Sequence, residues 1–458
     1  MNERKNSNKK NTFYPKVLFT TGLPRTFRAS NIAHLYEISQ VYPVILLSEE
    51  FDPETEKILH NKKLFPKLKE IIPYRQFTGQ RVNLFSPFKN YYFYKLAKDV
   101  INRVKPDILI AGDDYLFQLY LSRFAKKIKL VLHIAIQGGL RVKKKDTKLW
   151  SELTSAYLKA PSFLPFPVKI LFIRVKNYLG HFFYYWILPL LVGELPFRGK
   201  SSFILREGDD AMRACDYSIV YSKRDYNLAI ENGVPPEKLY VLTHPLARKE
   251  TKEFFERTLI LKPKKKNQTE GKTVTLLLTD EPIGVKREDL SLISRKERKR
   301  IRLEIINSVF QILKDWKIFI KPHPDTRDIT EIKKTFEAIS DNIKVTDPSV
   351  PVDKYVKISN VIIEFPRSIS TVLSDSSLLY PEKPIISLDL HHEFFGDVYK
   401  DFDGIEYIDD KEKFINLLRE IRDNKFLKKK YEPKTKLEQN EFSSTVEVLE
   451  HLINKKLR

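Results

Sequence analysis

From Lys16 onward, short apolar runs alternate with amphipathic stretches, the pattern that a parallel sheet with crossover helices leaves in a sequence. The runs fall at Val17 to Thr20, Val44 to Leu47, Ile108 to Ala111, Leu130 to Ile136 and Tyr217 to Tyr221, each followed by polar or glycine residues. Ser30 to Ser39 and Tyr91 to Val104 lie between them and read as helices, the second with apolar residues at helical spacing. This predicts an α/β unit of five or more strands. The alternation stops at the basic, proline-containing LKPKKKNQTEGK, which reads as a linker. It restarts with TVTLLL from Thr273, a helix over Lys296 to Asp315, KIFI from Lys317, a helix over Ile329 to Ser340, VII from Val361, a helix after Ser370, and PIISL from Pro384. The expected organisation is a disordered tail over 1–13, a first unit over 14–250, a linker over 251–272, a second unit over 273–434 and a C-terminal helix over 435–458 that packs back across both units.

One stretch departs from the alternation. Phe163 to Phe197 is strongly apolar, and Asn177 to Gly193 carries no charge. Pro189 and His181 make it a poor spanning helix. It reads instead as an insertion, over about 160–200, that lies on a membrane surface, with aromatics Phe182 to Trp186 at headgroup level and Lys169, Arg174, Lys176 and Arg198 on acidic lipid. A buried insertion or a dimer contact is the alternative.

Composition sharpens this picture. With 458 residues, 42% hydrophobic and 31% charged, the chain is neither a single small module nor globally disordered. Its 81 Lys plus Arg against 59 Asp plus Glu leave +22, which calls for an anionic membrane, phosphate-bearing substrates, nucleic acid or simple solvation. The basic run RKERKRIR reads as a solvated or membrane-facing helix surface, and no zinc-finger, RRM-like or helix-turn-helix pattern supports a nucleic-acid partner. A single cysteine, Cys215, excludes an internal disulfide and any cysteine-rich zinc site. The polar N-terminus has no apolar secretory core. A cytoplasmic protein, peripheral to a membrane, is therefore expected, and the family resemblance described below implies that this is the inner membrane.

The sharpest candidate for chemistry is KPHP, Lys321 to Pro324. Two prolines hold His323 on a rigid loop at the carboxyl end of a strand, the edge at which parallel sheets bind ligands. His323 can stabilise a departing diphosphate, with Lys321 and Arg327 assisting. Downstream, Arg367, Ser368, Ser370 and Thr371 lead from a strand into a helix, whose amino terminus and hydroxyls suit a phosphate. Asp375, one turn further, can accept from ribose hydroxyls, or serve as an ordinary first-turn acid. In the first unit, Asp113 and Asp114 follow a strand and are candidate catalytic bases or helix caps. The first loop adds Gly22 and Arg25 beside Arg28, and no metal site is expected.

Three stretches carry a family resemblance: CDYSIVYSKRDYNLAIENGVPPEKLYVLTHP from Cys215, KPHP, and STVLSDSSLLYPEKPIISL from Ser370. The chain resembles GT-B glycosyltransferases of the bacterial capsule and surface-polysaccharide type with an HP motif, similar to polysialyltransferases, capsular Kdo transferases and CDP-glycerol glycerophosphotransferases. The resemblance implies two Rossmann-like domains with parallel sheets facing a cleft, metal-independent transfer with no cofactor, and a nucleotide-sugar donor bound by the C-terminal domain. It implies that His323, Ser370 and Thr371 meet the donor phosphates, and that Asp375 stands where a ribose-binding Glu is usual. The acceptor would be a lipid-linked or growing glycan at the anionic inner leaflet, with Gly22, Arg25 and Gln137 on the acceptor side. Two departures stand out: Gln137-Gly138-Gly139 lacks the His usual in that turn, and Arg367 to Thr371 replaces the Asp-Tyr-Ser-Ser of the CDP-glycerol type. A UDP-sugar 2-epimerase and a non-catalytic component of polysaccharide assembly are the rival readings.

Overall fold

A computed structural model describes residues 15–20, 29–49, 53–74, 87–111, 116–125, 127, 132–137, 144–161, 163–182, 187, 215–258, 271–278, 284–323, 326, 329–350, 352–365, 371–400, 402, 404–427 and 441–457. The first unit contains strands β1 (Val17–Thr20), β2 (Val44–Glu49), β3 (Leu68–Tyr74), β4 (Ile108–Ala111), β5 (Leu132–Ile136), β6 (Tyr217–Val220) and β7 (Leu239–Leu242). Its helices are α1 (Ala29–Val41), α2 (Pro53–Leu59), α3 (Pro87–Val104), α4 (Leu116–Ala125), α5 (Lys144–Lys159), α6 (Phe166–Phe182), α7 (Lys223–Glu231) and α8 (Lys249–Thr258). In the second unit lie β8 (Thr273–Leu278), the short hairpin β9 (Gly284–Val285) and β10 (Leu292–Ile293), α9 (Arg295–Ile312), β11 (Lys317–Pro322), α10 (Ile329–Phe336), β12 (Ile343–Val345), α11 (Asp353–Ile358), β13 (Val361–Glu364), α12 (Thr371–Leu379), β14 (Ile385–Leu388), β15 (Glu406–Ile408) and α13 (Lys411–Arg422). The chain ends with β16 (Glu441–Phe442) and α14 (Thr445–Leu457).

Two parallel sheets result, ordered β16-β7-β6-β5-β4-β1-β2-β3 and β12-β11-β8-β13-β14-β15. This is the expected architecture of two Rossmann-like units. Strands covered by helices on both faces read as near-continuous apolar runs, and β1, β4, β5, β8 and β13 are buried at every position. β3 alternates less cleanly, with Lys69 and Glu70 exposed, because it closes the sheet at an edge. That explains why LKEIIPY does not stand out as a strand in the sequence.

The boundary between the units differs from the composition-based one. Lys249 to Thr258 is helix α8, and Phe254 and Phe255 are buried in the first unit's core against Tyr36 and Phe65. Two buried aromatic rings override the polar, charged composition around them. The C-terminal segment also rejoins the first unit: β16 pairs with β7, and α14 packs on α1 with Val448, Leu449 and Leu452 fully buried.

In each sheet the chain reverses direction at one place. β1 leads outward through β2 and β3, and the chain then returns to β4 on β1's other side. β8 leads to β11 and β12, and the chain returns to β13 on β8's other side. Such switch points open a crevice at the carboxyl ends of the strands. The two carboxyl edges are turned toward each other. Helix α12, which leaves the second sheet after β13, packs on the turn Pro245–Ala247 that follows β7, and its Leu378 sits in the first unit's core. A second bridge joins Trp150 on α5 to Phe395 beyond β14, with ring centroids 5.6 Å apart.

Candidate functional site

The second sheet brings the two strongest sequence candidates to its switch point. Lys321 and Pro322 stand abreast of Leu277 and Leu278, and Glu364 stands abreast of Leu277 on the other side. The KPHP loop and the loop that leads to α12 therefore flank the end of β8. Neighbouring strands are about 4.8 Å apart, so the two loops leave the sheet about 10 Å from each other, a span that a diphosphate and its attached groups can bridge. His323 is half-buried, and its backbone N–H donates to the Leu278 carbonyl at 2.8 Å while its carbonyl accepts from Thr326 N–H at 2.9 Å. The imidazole is thus carried on a loop tied to the central strand. Thr371 is the first residue of α12, and half-buried Asp375 lies just over one turn in. Free amides at such a helix start, with its dipole, favour an anion.

Lys321 behaves differently from expectation. Its ammonium donates to the carbonyls of Pro322 at 3.0 Å, Asp347 at 3.4 Å and Pro348 at 2.9 Å. It is turned toward the loop after β12, and burial lowers its pKa to about 8. In the structure Lys321 ties that loop to β11, because alternation along a strand sends it to the opposite face from its neighbours.

At the facing edge, Thr20 is paired with Ala111, so the loop with Gly22 and Arg25 and the loop with Asp113 and Asp114 start from adjacent strands at the first sheet's switch point. These four residues lie outside the described residues, as do Arg327, Arg367, Ser368 and Ser370. Gln137 is described and buried. Its carboxamide donates to Asp225 at 2.9 Å and accepts from Tyr221 N–H at 3.2 Å. Asp225 is itself buried and also accepts from the Ser222 hydroxyl at 3.0 Å. The Ser222-x-x-Asp225 spacing is a capping signal legible in the sequence, but its link to Gln137 is made only by the adjacency of β5 and β6.

Two further polar groups at the second sheet's edge escaped the sequence reading. Buried Asp389, directly after β14, accepts from Arg287 at 3.0 Å, Tyr407 at 3.1 Å and Glu393 N–H at 2.8 Å, while burial pushes its pKa up. Arg298 grips both carboxylate oxygens of Glu393 through its Nε and Nη2, at 2.7 to 3.1 Å, with both residues buried. The run RKERKRIR is thus only partly a solvated surface. Arg295, Lys299 and Arg300 form exposed pairs with Glu331 and Glu297, whereas Arg298 on the same helix turns inward. Arg295, Arg298, Lys299 and Arg302 also border a cavity of about 50 Å³ beside Leu278 and Thr326. Among the described residues, no cluster of three or more His, Cys, Asp or Glu is placed to hold a metal.

No protein-family model matches the chain, and no curated protein matches its sequence. Solved structures do match its architecture. A Listeria monocytogenes protein provisionally named UDP-N-acetylglucosamine 2-epimerase aligns with a TM-score of 0.55 at 12% identity, over 90% of this chain and 89% of that one. MnaA of S. aureus, solved with UDP, gives 0.51 at 13% identity over 89% and 88%. The UDP-GlcNAc 2-epimerase of Methanocaldococcus jannaschii, solved with UDP-GlcNAc and UDP, gives 0.50 at 14% identity over 96% and 99%. The shared feature is the GT-B-like fold, which this chain has along nearly its whole length.

Proposed function

We propose that the protein is an enzyme acting on a nucleotide-activated sugar held between the two sheets, and that its reaction is of the UDP-sugar 2-epimerase kind. The observation that carries this reading is the convergence of the KPHP loop and the start of α12 on either side of β8, at a switch point facing a second such edge. The whole-length likeness to 2-epimerases supports the reaction type and ranks it above glycosyl transfer. In this reading His323 and the amides that open α12 hold the diphosphate, with Arg327, Arg367, Ser368, Ser370 and Thr371 as further donors and Asp375 on the ribose. Inverting C2 requires a proton to leave one face of the sugar and return to the other. Asp113 and Asp114, which follow β4 in the chain, are the candidates for that exchange.

A second reading is glycosyl transfer to a lipid-linked or growing glycan, which needs one base where epimerisation needs a proton moved on both faces. Incubation with UDP-GlcNAc in D2O without acceptor separates the two. Deuterium at C2 with formation of the second stereoisomer, both lost in His323→Ala, is the expected result. Nucleotide binding without exchange, and turnover only when an acceptor is added, would establish the transferase. Failure of UDP, CDP, GDP and ADP alike to bind the folded protein would remove both readings and leave a non-catalytic component.

A further inference from the structure

Helix α6 packs on α5 through one face only. Ile173 is buried there, Phe166 stacks on Tyr157 with centroids 4.5 Å apart, and Arg174 donates to Glu152 at 2.8 and 3.0 Å. The opposite face is apolar and open to solvent: Val168 is 44% exposed, Leu171 60%, Phe172 40%, Val175 50% and Leu179 55%. At about 3.6 residues per turn these five side chains fall within about 100° of one another, centred opposite Ile173. A soluble helix normally buries such a stripe and exposes its polar face, whereas α6 does the reverse.

The charge that α6 itself carries is of one sign, and of its cations Arg174 is paired with Glu152 of α5 while Lys169 and Lys176 share the other margin. Lys169, Arg174 and Lys176 are the charged residues between Phe163 and Phe182, with no acid among them. On the helical wheel Lys169 and Lys176 lie along one margin and Arg174 along the other. The chain as a whole carries +22. A second copy of the same face would set these cations against their like, whereas an anionic surface draws them in. No described helix is long and apolar enough to cross a bilayer, and α6, with 17 residues, fits a helix lying in the plane of the headgroups.

We infer that α6 is a docking surface for an anionic lipid bilayer. The apolar stripe enters the acyl boundary while the lysines at its margin remain at the phosphates. This inference is independent of which reaction the cleft performs.

The test is flotation of the full-length protein with vesicles of neutral phosphatidylcholine, and with vesicles in which a third of the lipid is phosphatidylglycerol. Binding to the anionic vesicles that weakens with salt is expected. Leu171→Asp combined with Val175→Asp should reduce it at least tenfold, since each lost apolar anchor alone is worth about tenfold in partitioning. Lys169→Glu with Lys176→Glu should reduce it severalfold. Both positions of the first variant are exposed, so its thermal midpoint and its nucleotide response should match the wild type, which separates failure of docking from failure of folding or of the cleft. Absence of flotation, equal flotation on neutral vesicles, or a solution dimer that Leu171→Asp/Val175→Asp dissolves without any vesicle binding would each overturn the inference.

Discussion

Acid should destabilise this protein well above the pH at which carboxylates titrate, and the reason lies in two histidines of the first unit. His34 on α1 is fully buried, with one ring nitrogen 2.8 Å from the Thr445 hydroxyl and the other 2.7 Å from the Tyr221 hydroxyl. His244, just before the Pro245–Ala247 turn that meets α12, accepts from Leu246 N–H at 3.3 Å through Nδ1 and packs on the Tyr221 ring at 4.4 Å. Burial first, then the positive charge of Arg248, holds both imidazoles neutral: His244 is lowered from 6.5 to about 3, and His34 is lowered well below its usual value. A base whose folded pKa is depressed binds fewer protons folded than unfolded between those two values. Stability is therefore complete above about pH 6.5 and is lost as pH falls toward the folded value. For His244 alone, a shift from 6.5 to about 3 costs about 2 kcal/mol between pH 7 and pH 5. His34 adds to this in the same direction. Urea denaturation at both pH values measures it, with His244→Asn as the comparison, because Asn retains an acceptor for Leu246 N–H but does not titrate. The variant should lose about 2 kcal/mol less than the wild type on acidification. Parallel losses in the two proteins would refute the assignment.

Other expectations follow from single contacts. Arg298→Ala leaves the buried Glu393 carboxylate without its guanidinium and should cost about 3–5 kcal/mol, whereas Arg300→Ala removes only exposed pairs and should leave the denaturation midpoint nearly unchanged. A methyl group at Gly396 would lie 2.0 Å from the Asp389 carboxylate, so Gly396→Ala should displace Asp389 from Arg287 and Tyr407 and lower stability by about 1–3 kcal/mol or more, with the loss visible in a thermal melt. His323→Ala should abolish the rise in thermal midpoint that the wild type shows with the nucleotide it binds, each protein being compared with its own nucleotide-free melt.

The amino-acid pattern alone determined that the chain builds two units in which buried parallel strands alternate with helices. TVTLLL, KIFI and VII announce buried strands because a strand covered on both faces reads as a near-continuous apolar run, with any polar side chain bonded internally. The same reading located KPHP and the start of α12 at strand ends, since prolines and capping residues act within a few residues of themselves. What it did not determine depends on neighbours distant in sequence. The two-residue strand β16 exists because β7 offers it a free edge, and the linker shortens because Phe254 and Phe255 find a core. His34 meets Tyr221 and Thr445 across 187 and 411 residues, and Glu393 meets Arg298 across 95. Only the folded topology decides which carbonyls surround Lys321, which cation of RKERKRIR turns inward, and which face of α6 is left open. Local propensity acts over one or two turns of chain, whereas burial and pairing are settled by whatever the sheet order brings within reach.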